Sequence, residues 1–576
     1  MRKSLLLLGL VACARPTSAP TPSNAPYDIV ISNGRIVDGT GNSWYYGDVG
    51  IRGDRITRIA SAGALSQANA TRRIDARGLV VAPGVIDIQA HSEEQLLNGD
   101  SRVVGMITQG VTTMIMGEGD TPGQMSQVMY NDWLKDFNTL RRTSVATDTS
   151  LVSILKSFIG PRGFGVWLET MERHTASVNM GSFMGAGGIR QYTKNMAQGA
   201  PTAAELDTMR LVMREGMRDG AFGLASALIY PPGNYASTEE LIEIAKAMQP
   251  YGGIYITHMR SEGDFILEAV DETLRIGREA GVPAEIYHLK AAGVKNWPKM
   301  KTVIAKIDSA RAAGQDVTVD QYPYTAGSNN LSSCIPPWAH ADGKLLDRLR
   351  DPTTRARIKA EMQDENAKFE SLCLGATPQG VEVIGFHEDS LKKYEGRRLP
   401  EIAQAWNKDW TDALMDLTIL ERNRLGQVIF VASDDNIAMQ VKLPYMKFGT
   451  DAGGYDPDSV KFAVHPRSYG TYPRILGRFV REQHLLTLED AVRKMSGATA
   501  ARLSIMDRGL VREGMYADIM VFDPNTIIDK ATYDKPHQLS VGVQYVLVNG
   551  TPVVDGGRVT GAKPGRVVRG PGYQLR

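Results

Sequence analysis

VAPGVIDIQAHSE, residues 81–93, begins as a run of apolar and β-branched residues and then turns polar at Gln89 and His91. The apolar part predicts a strand that is buried on both faces. Parallel barrels place the residues of a site in this way, at the C-terminal ends of their strands. A single histidine at a strand end is more simply explained as structural, so the prediction of a site depends on whether the pattern recurs.

The pattern recurs along the middle of the chain, where apolar strand candidates alternate with segments of helical period. The eight candidates lie at residues 80–91, 111–119, 178–185, 220–230, 253–262, 283–293, 316–327 and 446–454. Helical segments between them, such as 202–220 and 238–252, end at Gly220 and Gly252, where helix C-caps favour glycine. The alternation predicts an α/β fold, a (β/α)8 TIM-type barrel over residues 81–505.

The seventh and eighth strand candidates are separated by roughly 120 residues, which is too long for a loop. We therefore expect an insertion at about 330–440. An insertion at this place hangs over the active-site face of a barrel, so we expect a lid, with a structural or dimerisation element as the alternative. It contains Cys334 and Cys373, for which a disulfide and two free buried thiols are both left open.

The two ends of the chain have the composition of short strands joined by tight turns. In residues 27–80, Asn33-Gly34 is a hairpin-type turn signal. Residues 506–576 contain similar strand material. We expect the two ends to pair into one small β-sandwich outside the barrel.

Residues 1–26 are expected to be a targeting segment rather than part of the fold. A short positive region precedes an apolar run, residues 5–12, that is too short to span a bilayer as a stable helix. The run leads to Cys13 in a pattern that resembles the bacterial lipobox, and residues 14–26 have the composition of an unstructured tether. The resemblance implies export, lipidation of Cys13 and anchoring to the outer membrane on the periplasmic side. A plain secretory signal is the alternative.

The composition is that of a globular protein, with 43% hydrophobic and 22% charged residues and a formal net charge of +1. There is no basic excess to hold a polyanion, so nucleic acid is not expected as a partner. We expect a small-molecule substrate and contact with a membrane only through the lipid anchor. The oligomeric state is left open, and a homo-oligomer is one option.

Residues that bind metal lie at the ends of five of the predicted strands. They are His91, Glu118, His258, His288 and Asp451. Imidazoles combined with carboxylates are ligands that zinc prefers. Spacing along the chain carries no information here, because the ligands come from different strands; the signal is that all of them fall at the same height on the inferred barrel. Together they predict a zinc site at its mouth.

Asp451 is our candidate for the catalytic carboxylate. It lies in FGTDAGG, a glycine-rich strand end that leaves the side chain accessible, whereas Asp434 and Asp435 are more typical of a turn or a helix N-cap. A bound divalent ion lowers the pKa of a water molecule from about 15.7 to about 7. A carboxylate beside that water can take its proton and pass it to the departing amine, which is the role expected of Asp451.

Three further side chains are predicted to converge on the same face. Tyr230 ends the fourth strand candidate, Lys290 lies just beyond the sixth, and Arg467 lies in HPRSYG. Two cations and a phenol near a metal suit a substrate carboxylate, with arginine as its bidentate partner. We assign His465 no catalytic role and expect the remaining histidines to be structural or exposed.

Taken together, the motifs resemble those of the amidohydrolase superfamily and, within it, the N-acyl-D-amino-acid deacylase (D-aminoacylase) family. The resemblance covers nearly the whole mature chain. Its most specific parts are PGVIDIQAHSE, TTMIMGEGD, ALIYPPG, YITHMRSEG, YHLKAAG, DQYPYTAG, FGTDAG, HPRSYGTYPRILG and KMSGATAARLSIMDRGLVREGMYADIMVFDP. The resemblance implies a barrel with a small β-sandwich, zinc, and hydrolysis of an N-acyl group from a D-amino acid.

The resemblance also implies how the metal-binding residues are divided. It places one tightly held metal on His258 and His288, with Glu118 where other members have cysteine or another bridging group. It places a second metal on His91 and Asp451. It makes Asp451 the catalytic acid and base.

Tyr230, Lys290 and Arg467 match family positions that grip the substrate α-carboxylate. The chain departs from the family at Gln89, which replaces the first histidine of a His-x-His signature. Because an amide is a weak metal ligand compared with imidazole, we expect the second metal position to be weak or empty. Hydrolysis with a single metal and Asp451 is compatible with this departure, but the altered pocket floor bears on the substrate class.

We therefore expect a zinc-dependent hydrolase that cleaves the amide of N-acyl amino acids, with the D configuration implied by the resemblance alone. Related alternatives are a dipeptidase, a cyclic amidase or a lactonase. A different class of protein, a lipid-anchored binding protein that has lost catalysis, is permitted by Gln89 and opposed by the otherwise intact set of metal-binding residues.

Overall fold

The structure, a computed structural model, describes residues 26–142 and 150–575. The predicted signal and tether, with the lipidation candidate Cys13, lie outside the described residues apart from Pro26. Within the described parts of the chain, every helix is too short or too polar to cross a membrane.

The first described strands build a β-sheet domain. They are β1 (Tyr27–Ile36), β2 (Tyr45–Arg52), β3 (Arg55–Ser61), β4 (Ala70–Asp75) and β5 (Val80–Pro83). The turn predicted at Asn33-Gly34 is wrong, because both residues lie inside β1, where its pairing with β2 shifts register. Asn33 is left-handed there, with φ 61°, and its backbone N–H donates to Asp48 Oδ1 at 2.8 Å. The signal marks a β-bulge that bends the strand.

The stretch 80–91 is divided between two sheets. Its first part, β5, pairs with β1, so the sandwich extends to Pro83 instead of residue 80. At Gly84 an added Cβ would lie 2.2 Å from Thr112 Cγ2. Only glycine therefore fits where the chain passes from the sandwich into the barrel, whose first strand is β6 (Val85–Asp87).

Parallel strands make up the barrel. After β6 come β7 (Val111–Met116), β8 (Asn179–Ser182), β9 (Met184–Gly185), β10 (Gly223–Ala227), β11 (Ile254–His258), β12 (Ala284–Ile286) and β13 (Val317–Gln321). Their side chains are almost entirely buried, which is why they appear in the sequence as continuous apolar runs. The strands are shorter than the predicted runs, and the residues beyond their C-terminal ends form the loops of the site.

Helices cover the outside of the barrel and its connections. They are α1 (Glu93–Asn98), α2 (Val104–Ile107), α3 (Gln127–Arg142), α4 (Ser150–Ser157), α5 (Gly163–His174), α6 (Ala186–Lys194), α7 (Ala203–Asp219), α8 (Thr238–Met248), α9 (Ile266–Ala280) and α10 (Met300–Ala312). The helix predicted at 202–220 is α7, which begins with a capping box between Thr202 and Glu205 and ends at Gly220 with φ 105°. These caps explain why its bounds can be read from the sequence.

The insertion has its own sheet and its own apolar core. Its antiparallel strands, paired in the order β14-β17-β15-β16, are β14 (Ala326–Asn330), β15 (Val381–Ile384), β16 (Arg397–Arg398) and β17 (Gly426–Phe430). Its helices are α11 (Leu345–Arg350), α12 (Pro352–Gln363), α13 (Leu372–Gly375), α14 (Leu399–Ala405) and α15 (Trp410–Leu420). Cys334 and Cys373, whose pairing the sequence left open, form a disulfide within its core.

The chain returns to the barrel through α16 (Asp434–Gln440). Asp434 and Asp435 lie in its first turn, and Ser433 is the N-cap. The last barrel strand, β18 (Met446–Phe448), then pairs with β13.

The barrel closes between the ends of its first and last strands. Asp451 N–H donates to Gln89 O at 2.7 Å, and His91 N–H donates to Ala452 O at 2.9 Å. The three strands β6–β8 and the six strands β9–β13 and β18 make a ring of eight, because β8 and β9 are one strand interrupted at Phe183. The predicted (β/α)8 barrel is confirmed, and its closure brings His91 next to Asp451.

The end of the chain completes the β-sheet domain. It contains α17 (Arg467–Arg474), a π-helix at Ile475–Glu482, α18 (Leu488–Met495), α19 (Gly497–Arg502), β19 (Ile519–Phe522), β20 (Val543–Val548), β21 (Thr551–Asp555) and β22 (Arg558–Val559). Because β19 pairs with β5, strands from both ends of the chain form one nine-stranded sheet, and the β-sandwich of both termini is confirmed. The final residues leave it: Val568 N–H donates to Met180 O at 2.7 Å, so this tail packs against the barrel.

Candidate metal centre and active site

The predicted metal-binding residues meet at the C-terminal mouth of the barrel. Each lies at or within a few residues of a strand end: His91 beyond β6, Glu118 beyond β7, His258 at the end of β11, His288 beyond β12 and Asp451 beyond β18. They form two groups, each with ligand atoms within 4.8 Å of one another, and Glu118 belongs to both. His288 and Asp451 have positive φ angles, 31° and 51°, a left-handed conformation that is uncommon for non-glycine residues.

The first group consists of Glu118, His258 and His288. Glu118 Oε1 lies 3.2 Å from His258 Nδ1 and 3.6 Å from His288 Nε2. His258 Nε2 is buried and has no hydrogen-bond partner among the described residues. Two buried imidazoles and one carboxylate, converging on a point at the end of a pocket, are a donor set that fits zinc.

The second group consists of His91, Glu118 and Asp451. His91 Nε2 lies 3.0 Å from Asp451 Oδ1 and 3.3 Å from Glu118 Oε2. Gln89 also contacts this group, because its side-chain amide donates a hydrogen bond to Glu118 Oε2. The oxygen of that amide, Gln89 Oε1, is buried with no hydrogen-bond partner among the described residues. The Glu118 oxygen that faces His91 is therefore already engaged by an amide donor.

The carboxylates of the mouth are held in their ionised form. Burial would raise the pKa of Glu118, but hydrogen bonds from His258 and His288 lower it well below its usual value. Burial and then Lys290 lower the pKa of His288, but Glu262 and other carboxylates outweigh them and raise it to about 9. Protons on His91 and His288, whose pKa values the carboxylates raise, thus balance the negative charge, and a cation that binds here has to displace them, so its affinity rises with pH.

The residues predicted to bind a substrate carboxylate line the same cavity, but they differ in how many of their polar atoms are already hydrogen-bonded within the protein. Arg467, in the first turn of α17, donates through Nη1 to Asp451 Oδ2 at 2.6 Å, while its buried Nε has no partner among the described residues. The Tyr230 hydroxyl accepts from Asn329 Nδ2 at 2.9 Å. Lys290 is buried and donates to Glu262 Oε1 at 2.7 Å, so its ammonium group is already paired.

Glu262 is a site residue that the sequence reasoning missed. Its carboxylate is buried beside His288 and Lys290, and these neighbours lower its pKa against the effect of burial. The signal was its position four residues after His258 in HMRSE, but the loop between them hides which way the side chain points. Asp320, whose Oδ1 accepts from the His288 backbone N–H at 2.8 Å, was also missed, because this contact joins the neighbouring strands β12 and β13 and cannot be read from either stretch alone.

The insertion forms one wall of the cavity above the metal-binding residues. The cavity has a volume of about 1010 Å³, and its lining includes Asn329, Ile384 and Ile429 from the insertion. The volume is ample for a small molecule with an acyl group and an amino-acid part. The insertion thus lies where a lid was expected, with apolar side chains facing the cavity.

Comparisons with known proteins agree with this geometry. Residues 448–554 match the sequence model of the family described as "Amidohydrolase family". The D-aminoacylase of Alcaligenes xylosoxydans xylosoxydans is 33% identical over 543 residues, which cover 94% of this chain and 98% of that protein.

Two solved structures are similar over nearly the whole chain. One is a D-aminoacylase studied for one-metal activation and second-metal attenuation in its binuclear centre, with a TM-score of 0.75 and 32% identity over 94% of this chain and 100% of that one. The other is the N-acyl-D-glutamate deacylase of Bordetella bronchiseptica with zinc and a phosphonate mimic of the tetrahedral intermediate. It has a TM-score of 0.75 and 28% identity, and covers 94% of this chain and 99% of that one.

Proposed function

The chain belongs to the D-aminoacylase family of metal-dependent amidohydrolases, and we propose that it hydrolyses the amide bond of N-acyl-D-amino acids. The observation that carries the proposal is the convergence of Glu118, His258 and His288 on one point, with Asp451 beside them. The guanidinium of Arg467, whose Nε has no hydrogen-bond partner within residues 26–142 and 150–575, adds a place for the carboxylate of such a substrate.

We propose that Glu118, His258 and His288 hold one zinc ion tightly. When bound, a divalent ion lowers the pKa of a water molecule and polarises the carbonyl of the substrate. The position between His91 and Asp451 is weak or empty, because Gln89 offers an amide in place of an imidazole and engages Glu118 Oε2. The D-aminoacylase studied for one-metal activation supports a reaction that needs a single ion.

Asp451 moves the proton. Burial would raise its pKa, but Arg467 and then His288 hold it below the usual value, so the carboxylate is ionised and ready to accept. Asp451 takes a proton from the attacking water and donates it to the amide nitrogen, which leaves as an amine. His91, 3.0 Å from Asp451 Oδ1, orients the carboxylate during the transfer.

Arg467 and Tyr230 bind the α-carboxylate of the substrate. The Nε–H of Arg467 has no hydrogen-bond partner among the described residues, and a guanidinium suits a carboxylate. Burial raises the pKa of Tyr230 well above its usual value, so its hydroxyl stays protonated and can donate. Lys290 contributes positive charge to this part of the cavity, while its ammonium group donates a hydrogen bond to Glu262. A cyclic amide or lactone lacks the free carboxylate for which this set is built.

We also propose that the protein is exported and anchored through lipid on Cys13 at the outer membrane, facing the periplasm. The lipobox-like sequence supports this, and the Cys334–Cys373 disulfide fits an oxidising compartment. The oligomeric state, for which a homo-oligomer is one option, has to be measured in solution.

The proposed function is tested with the full mature chain, depleted of metal and then reconstituted with zinc. A panel of N-acyl-D-amino acids and their L-enantiomers is assayed by release of the free amine, and bound zinc is counted by elemental analysis. We expect about one zinc per chain and hydrolysis of the D-enantiomers that a chelator abolishes. Equal rates with and without metal, or preference for the L-series, would refute the proposal.

A further inference from the structure

The loop that follows β11 places a carboxylate behind the metal-binding residues. Glu262 is 4% exposed. Its Oε1 lies 3.0 Å from His288 Nδ1 and 2.7 Å from Lys290 Nζ. His288 therefore presents Nε2 to Glu118 and Nδ1 to Glu262, with the imidazole between two carboxylates.

The tautomer of His288 is decided by a competition at Nδ1. If Nδ1 carries the proton, it donates to Glu262, and the lone pair of Nε2 is free for a metal. Lys290 Nζ lies 2.8 Å from the same Nδ1 and can only donate. A lysine that donates to Nδ1 would force the proton onto Nε2, the atom that faces Glu118. By accepting from Lys290, Glu262 keeps this cation from imposing the wrong tautomer.

Glu262 is itself held by the insertion. The carboxylate of Glu370, between α12 and α13, accepts the backbone N–H groups of Glu262 and Gly263, each at 2.9 Å. It also accepts the Ser261 hydroxyl. One side chain of the insertion thus fixes three consecutive residues of the loop that carries Glu262, across 108 residues of sequence.

We propose that Glu262 and Glu370 are a positioning relay that couples the insertion to the metal centre. Glu370 fixes the loop, the loop places Glu262, and Glu262 sets the tautomer of His288. Zinc affinity then depends on whether the insertion is seated on the barrel. Glu262 acts through His288, and Glu370 acts through the loop. The inference rests on the zinc site of the proposed function.

The relay is tested by measuring zinc affinity of the metal-depleted full chain in competition with a chromophoric chelator. Loss of a hydrogen-bond partner behind a metal ligand typically costs 10- to 100-fold in metal affinity, so we expect a loss of about this size for Glu262→Gln. Glu370→Gln is expected to lower affinity by a smaller factor. Glu268→Gln, an exposed carboxylate on α9 near Glu370, is the matched control and should leave affinity unchanged.

Two double variants separate the relay from a general loss of structure. Adding Lys290→Met to Glu262→Gln removes the competing donor and should restore part of the zinc affinity, whereas damage to the fold would not be repaired. Combining Glu262→Gln with Glu370→Gln should be no worse than Glu262→Gln alone, because both act at one point.

The outcomes distinguish the relay from the site itself. If the unaltered chain binds no zinc, the proposed function fails. If it binds zinc and Glu262→Gln binds equally well, or if the losses from Glu262→Gln and Glu370→Gln multiply, the relay is refuted and the zinc site stands.

Discussion

The barrel buries charged side chains at both of its ends, in two different ways. At the mouth, Glu118 and Asp451 face a cavity, and nearby nitrogens such as His258 Nε2 have no hydrogen-bond partner among the described residues. Toward the N-terminal ends of the strands, Glu285 lies between Lys447 and Arg502, with distances of 3.0 Å to Lys447 Nζ and 2.9 Å to Arg502 Nε.

The comparison distinguishes charged side chains that can bind a ligand from charged side chains that stabilise the fold. Glu285 is fully buried and also accepts the Thr318 hydroxyl at 2.8 Å, so its charge is neutralised inside the protein. Burial lowers the pKa of Lys447, and Glu285 opposes that effect. At the mouth, carboxylates outnumber their cations and the balance is left to protons that a metal can replace. A buried cluster that faces a cavity and is balanced by protons is thus the better guide to function.

The largest effect is expected at the mouth, from Asp451→Asn. Asparagine keeps the size of the side chain but cannot take a proton, so kcat/KM for an N-acyl-D-amino acid should fall by about 10²- to 10⁴-fold. The thermal unfolding temperature should fall less than it does for Glu285→Gln, because removing the Asp451 charge also relieves its repulsion with Glu118, and Arg467 keeps its hydrogen bond to Ser328 O. A variant that loses stability in step with activity would show that Asp451 holds the fold, and the contrast between the two ends would be lost.

At the other end, Glu285→Gln should do the reverse. It leaves Lys447 and Arg502 without their shared counter-charge in the interior, which should cost about 3–5 kcal/mol in the free energy of unfolding. The value of kcat/KM, measured well below the unfolding temperature, should not change. The control is Glu279→Gln in the exposed pair with Arg275, which should leave the free energy of unfolding nearly unchanged.

The contrast also shows what the sequence could and could not predict. The barrel and its strand-end residues could be predicted because strands buried on both faces appear in the sequence as continuous apolar runs, and each run ends at a polar residue. The sandwich could be predicted from the short strand-like segments at both ends of the chain. The bulge at Asn33-Gly34 was not, because the same dipeptide serves a turn or a bulge depending on the partner strand.

Long-range pairings were the other limit. Glu285 and Arg502 are 217 residues apart, and neither lies in a motif that indicates the other. Lys290 was predicted to face the substrate, but its pairing with Glu262 depends on how a loop turns after β11. Such contacts are set by packing of the whole barrel.

The insertion offers a third case, a half-buried histidine that has no carboxylate partner among the described residues. Burial lowers the pKa of His340 to about 4, from the usual value of about 6.5 for histidine. A histidine with a depressed pKa stabilises the fold fully above its unfolded pKa, and this contribution is lost as the pH falls toward the folded pKa. Between pH 7 and pH 5 the free energy of unfolding should therefore fall by about 2 kcal/mol from this group.

Denaturant unfolding of His340→Gln at the two pH values checks this. The pH-dependent loss should shrink by that amount in the variant, and the exposed His174→Gln should behave like the unaltered chain. If His340→Gln keeps the full pH dependence, burial without a partner is not what makes the insertion acid-sensitive.

The smallest effect on stability is expected when the buried pair at the base of the barrel is replaced as a whole. Replacing both Glu285 and Lys447 with methionine removes the buried pair and leaves no stranded lysine charge, while Arg502 keeps its contact with Asp316 at 2.9 Å. Because the desolvation cost of a buried pair offsets much of its attraction, the double variant should lose only about 1 kcal/mol, less than Glu285→Gln alone. Unfolding by denaturant measures both. An equal or larger loss in the double variant would mean that the attraction within the pair itself stabilises the barrel. The contrast between a structural pair at the base and binding charges at the mouth would then need a different explanation.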